Sequence, residues 1–226
     1  MPANVLADKL ACFCPQDGYV LTELGGQFSA AYVLLPPFLR PQTLPATRFT
    51  PEHYPSREEI VADCHPVSWQ SVVTLTGLPD IAAVDLALRT RSLSLRQDLC
   101  REDFALQLDQ ACEQNGLIPP SAGELPDLWH DDWLALLARD KGWLWYGNEF
   151  GDACQRMPLT DPMNSHIHAR YFSADGSIML CSHWDSHYSL VCGDREHLLP
   201  FSRYEGFYCQ PDTMVRWSRS LESIGT

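Results

Sequence analysis

Apolar positions along this chain follow two periods, and the change between them falls near Gly142. From about residue 56 to 140 they recur every three or four residues, the spacing of one helix face. Ser56-x-x-Glu59 opens this region as a capping box, in which hydroxyl and carboxylate each satisfy an orphan backbone N–H; the short helix stops near His65-Pro66. Ser68 caps the next helix, Trp69 to Thr76, which ends at Gly77. Between Pro79 and Leu99, Ile81, Val84, Leu88 and Leu95 keep roughly helical spacing. Arg101 to Asn115 carries a stripe of Phe104, Leu108, Ala111 and Cys112, and Asn115-Gly116 supplies the stop. After the loop "IPPSAGELP", Asp127 is placed to cap a helix from Leu128 to Arg139, with Trp129, Trp133, Leu136 and Leu137 on one side and Asp127 and Asp131 on the other.

Beyond Gly142 the pattern turns to β. "GWLWYG" alternates around its aromatics, "YSLVCG" and "EGFYC" read as strands, and "SHIHARYF" and "SIMLCSHW" flank Asp175-Gly176, a hairpin-turn signal. Near the N-terminus, Phe28 to Leu35 reads as a buried strand, followed by a proline-rich extended connection over residues 36–55. The expected fold is α+β: one domain over residues 1–226. In it, an antiparallel sheet from the C-terminal third (about 142–217), joined by the N-terminal strand, packs against the helical middle (about 56–140).

Composition narrows the function classes. The net charge of −13 repels phosphate backbones and anionic lipid, so neither a nucleic acid nor a membrane is expected as partner, and a basic protein is attracted at long range. No apolar run is long enough to span a bilayer, and the first residues lack a basic segment followed by an apolar one. Nine scattered cysteines, an odd number, fit a reduced cytoplasmic protein.

The hairpin holds the densest candidate chemistry. An Asp175-Gly176 turn sets Ala174 opposite Ser177, His168 opposite His183 and His166 opposite Asp185. One face then carries His166, His168, Arg170, Cys181, His183, Asp185 and His187. The other carries Ile167, Ala169, Tyr171, Ile178, Leu180 and Trp184 and reads as core. Imidazoles and a carboxylate this close suit zinc or iron, with His166, His168 and His183 as ligands and Asp185 or His187 as a further ligand or its support. Against that stand the absence of HExxH and of paired C-x-x-C, and the ease with which strand histidines pair without metal. No G-x-S-x-G elbow, G-x-G-x-x-G or Walker A motif occurs.

A second group comprises Glu124, Asp127, Asp131 and Asp132 around Trp129 and Trp133. Acids at a helix start are favourable for the dipole alone. Read functionally, they form an acidic, aromatic-bearing patch for a basic partner. Core packing is the expectation for both tryptophans.

Three segments, "PVSWQSV…ALRT" (66–90), "SHWDSHYSLVCG" (182–193) and "EGFYCQPDTMVRW" (205–217), resemble a family of uncharacterised bacterial proteins of similar length, a domain of unknown function. That family brings no activity, cofactor or catalytic residue. In overall character, small, acidic, aromatic-rich and without catalytic motifs, the chain is similar to immunity proteins that bind a cognate toxin. The leading expectation is a non-enzymatic, cofactor-free cytoplasmic binding protein of immunity type. The alternatives are a zinc or iron enzyme centred on residues 166–187, and a domain with a small-molecule pocket.

Overall fold

The computed structural model describes residues 18–95, 97–148, 154–159, 169–182 and 185–215. Its first half runs β1 (Gly18–Tyr19), α1 (Val20–Glu23), β2 (Ala30–Leu34), β3 (Phe38–Pro41), α2 (Arg57–Asp63), β4 (Cys64–Val67), α3 (Trp69–Thr76), α4 (Ile81–Arg91) and α5 (Glu102–Asn115). The rest comprises α6 (His130–Ala138), β5 (Trp143–Gly147), β6 (Cys154–Pro158), β7 (Arg170–Phe172), β8 (Met179–Ser182), β9 (Ser189–Gly193), α7 (Arg195–Leu198), β10 (Gly206–Tyr208) and β11 (Met214–Val215).

The local signals act as expected. Ser56 and Glu59 close the capping box of α2. The Ser68 hydroxyl accepts from Ser71 N–H at the start of α3, which ends at Gly77. Helix α5 stops where Gly116 takes φ +60°, a conformation glycine adopts without strain. The helix over 79–99 is shorter than its apolar spacing suggests and ends at Arg91. Ser92 and Ser94 hydroxyls turn back onto the Arg89 carbonyl, and Ser94 N–H bonds the same oxygen at 3.0 Å. These bonds compete with another helical turn. They leave Leu93 at φ +57° and 87% exposed, outside the core.

Seven strands form one sheet in the order β10-β2-β9-β8-β7-β5-β6, every neighbouring pair antiparallel. The N-terminal strand β2 does join the C-terminal ones, between β9 and β10. Gly206 lets β10 lie flush on β2, since a Cβ there would overlap the Val33 carbonyl oxygen. The hairpin register is the expected one: Arg170 opposes Cys181, Tyr171 opposes Leu180 and Phe172 opposes Met179. The loop closes through Gly176 N–H to Ser173 O at 2.8 Å and Ser173 N–H to Ile178 O at 2.9 Å.

Helices cover both faces of this sheet. Ala31, Val33, Phe172, Met179, Cys181, Leu190 and Cys192 face α3, α4 and α5, which contribute Trp69, Val72, Val84, Leu88 and Leu108. Tyr32, Leu34, Leu144, Tyr171, Leu180 and Val191 face α6, with Trp133, Leu134 and Leu137, and α7 with the turn after it, which supply Leu198 and Phe201. The helical middle is thus divided between the two sides. The described part of the hairpin face read as polar is buried beneath α3–α5: Phe172, Met179 and Cys181 are fully inside. With helices on both sides, strands become continuous apolar runs and alternation loses its meaning.

Two small ribbons lie outside the main sheet, β1 with β11 and β3 with β4. One strand of the second, β3, falls within the segment expected to be an extended connection; β4 falls where the helix opened by Ser56 is expected to stop. Pro41 and Pro66 sit in the ribbon without disruption, because neither must donate across it: Leu39, opposite Pro66, turns its own N–H and C=O outward to Ile118. No single helix among the described residues is long and apolar enough to cross a membrane.

Candidate functional site

An open cleft lies where the β3–β4 ribbon meets the loop before α6. Its lining comes from Pro36, Pro37, Leu39 and Tyr54 on one side and from Pro119, Pro120, Ser121, Glu124, Leu125, Pro126 and Asp127 on the other. It encloses about 360 Å³, the solvent at its mouth included.

Backbone bonds between distant segments build it. Leu39 and Ile118 exchange N–H···O bonds of 2.9 and 2.8 Å, which bring the 119–127 loop alongside β3. Gly123 N–H donates to Ser186 O at 2.9 Å and ties the loop to the β8–β9 connection. Pro36 is held by the buried Trp69 indole, whose Nε1–H donates to its carbonyl at 2.6 Å. Tyr54 stacks edge-on against Phe49, with centroids 5.6 Å apart.

Two carboxyls stand half-buried in this setting. Burial raises the pKa of Glu124, the negative charge of Asp127 adds to it, and a hydrogen bond from Ser121 partly offsets both. Burial also raises Asp127, while Arg57 and His130 act to lower it. Arg57 lies 3.7 Å from Asp127 and 3.3 Å from Asp131, so one guanidinium serves two acids. Glu124 forms no ion pair among the described residues. The Tyr54 hydroxyl is pushed up to about 12 by burial and then by Asp127 and Glu124. His130 is buried, with Nδ1 2.8 Å from Asp131 and a pKa lowered chiefly by desolvation. Desolvated acids crowded beside one another are poised to gain from a positive group.

The structure therefore brings Glu124, Asp127 and Asp131 to one place. Asp132 turns away, 3.8 Å from Arg203 and accepting from the Tyr204 hydroxyl at 3.1 Å. Asp127 does not cap a helix: residues 127–129 form a turn, Trp129 N–H bonds Pro126 O at 3.0 Å, and α6 begins at His130. The Arg57 contact draws the Asp127 carboxylate toward the cleft instead. Trp133 is fully buried and packs 5.7 Å from Tyr204; Trp129 is half-buried between them and solvent. Sequence reading missed Tyr54, Arg57 and Ser121. The proline density of "IPPSAGELP" around an acid was the available signal.

At the hairpin, His166, His168 and His183 lie outside the described residues. Asp185 is half-exposed. His187 is buried, 5% exposed, and its Nδ1 finds no hydrogen-bond partner among the described residues. Burial drives its pKa down to about 3, helped by the positive charges of Arg89 and Arg91. Among the described residues no group of three or more His, Cys, Asp or Glu is arranged to hold a metal ion.

No curated protein and no solved structure matches the chain. A family model described as a protein of unknown function (DUF2711) matches residues 16–219, the segment that holds the sheet, both helical layers and the cleft, and the chain belongs to that family.

Proposed function

We propose that this protein works by binding: its acidic cleft captures a basic protein partner, in the manner of bacterial immunity proteins that block a cognate toxin. The observation that carries this reading is an open cleft lined by Glu124 and Asp127, with Asp131 joined to Asp127 through their shared Arg57. With Arg57 taken up by Asp127 and Asp131, Glu124 leaves negative charge in excess, at a place where Tyr54 and the prolines supply contact area. The net charge of −13 extends the attraction beyond contact distance. A reduced cytoplasm suits the seven free cysteines among the described residues.

The test is co-expression and co-purification with the products of genes neighbouring its own. A basic partner is expected to co-elute, to become less toxic, and to bind roughly tenfold or more weakly to the doubly substituted Glu124→Gln, Asp127→Asn protein. If no neighbouring product binds or loses toxicity, the reading fails. It fails equally if the purified protein carries stoichiometric zinc or iron and turns over a substrate.

A further inference from the structure

The cleft wall mixes apolar and polar surface, and its charges are unevenly matched. Pro119, Pro120 and Pro126, each partly exposed, give flat, rigid surfaces, and Tyr54 adds an aromatic ring that is 42% exposed. Glu124 stands among them half-buried, with the Ser121 hydroxyl as its hydrogen-bond donor. The neighbouring acids Asp127 and Asp131 already share Arg57. An ionised carboxylate in such surroundings has lost much of its water and gained no counter-charge.

Resting on the reading that the protein captures a basic partner, we infer that the group entering this cleft is an arginine side chain of that partner, its guanidinium on Glu124 and its stem against the prolines and Tyr54. Charge complementarity selects a cation, and the walls select which one. A guanidinium is planar and weakly hydrated, presents paired N–H donors that match one carboxylate, and stacks on an aromatic ring. A lysine ammonium is a strongly hydrated point charge and loses more on entering an apolar channel. Glu124 is half-buried on the wall of an open cleft, so the tip of a long side chain reaches it from solvent.

The test titrates N-acetyl-arginine methylamide into the intact chain at low salt, followed by NMR, with the lysine and citrulline analogues in parallel. The arginine compound is expected to give saturable shifts at Tyr54 and along residues 119–127. The lysine compound should bind several-fold more weakly, and citrulline, which has the shape without the charge, should give no saturable shift. Glu124→Gln is close in size and should abolish the arginine response. Equal responses to arginine and citrulline, an arginine response that survives Glu124→Gln, or no saturable response to arginine overturns the inference. Failure of this step is separable from failure of the binding reading. A basic partner that binds the Glu124→Gln protein as tightly as the wild type leaves that reading standing and removes arginine from the cleft. An arginine response with no protein partner does the reverse.

Discussion

Glu124 sets a stability cost against a binding role. Its proton affinity is raised in the folded state, first by burial and then by Asp127. A carboxyl with a higher pKa folded than unfolded contributes stability that is fully present below the unfolded value and is lost as pH rises through the folded one. Near neutral pH the free protein therefore carries an unfavourable charge that it lacks in acid. Replacing Glu124 by Gln removes that charge. Thermal melts at about pH 8 should show the variant at least as stable as the wild type, by about 2 °C, with the gain gone near pH 4. A lower melting temperature at pH 8 would mean that the ionised group is already satisfied in the free protein. His187 has the opposite sign. Its pKa is pushed down to about 3 by burial, Arg89 and Arg91, so its contribution is whole above the unfolded value and fades as pH falls toward 3. That fading is common to both proteins, so their comparison isolates Glu124.

At the scale of elements, α3 shows how a distant residue completes a local signal. Ser68 satisfies the Ser71 N–H, as its position in sequence suggests. The two preceding N–H groups, of Trp69 and Gln70, donate to the Glu205 carboxylate at 2.7 and 3.0 Å. One acid next to β10 thus serves as a second cap, placed at the positive end of the helix dipole. Glu205→Ala should lower the urea midpoint by the equivalent of about 1–2 kcal/mol, with an unchanged denaturant slope. An unaltered midpoint would show that water replaces the carboxylate without loss. The β3–β4 ribbon depends on distant contacts in a similar way. Its prolines argue against strands when read locally, yet Phe38 and Val67 pair across it, and Phe38 packs edge-on to Trp69 at 6.0 Å. The described rungs of the hairpin, by contrast, were readable to the residue. A turn acts over a few positions, and one turn sets the register of everything beyond it.

For the whole molecule, charge and shape act at different ranges. The charge of −13 accelerates encounter with a basic partner, and the cleft holds what arrives. Stopped-flow measurements should therefore find the association rate falling about tenfold or more between low and moderate salt, while Glu124→Gln acts mainly on dissociation. An association rate indifferent to salt would remove the electrostatic account. The sequence by itself determined the caps at Ser56 and Ser68, the stops at Gly77 and Gly116, the described hairpin register, the α+β class and the acidic balance. Each of these is either additive over the chain or settled by groups a few residues apart. Tertiary structure decided which side of the sheet each helix covers, and so turned the histidine hairpin's polar-looking face into interior at Phe172, Met179 and Cys181. It also decided which acids meet: Asp127 and Asp131 share Arg57, Glu124 and Asp127 line the cleft with Tyr54, and Asp132 goes to Arg203. That gathering depends on the paired bonds between Leu39 and Ile118, groups far apart in sequence whose approach no local pattern encodes.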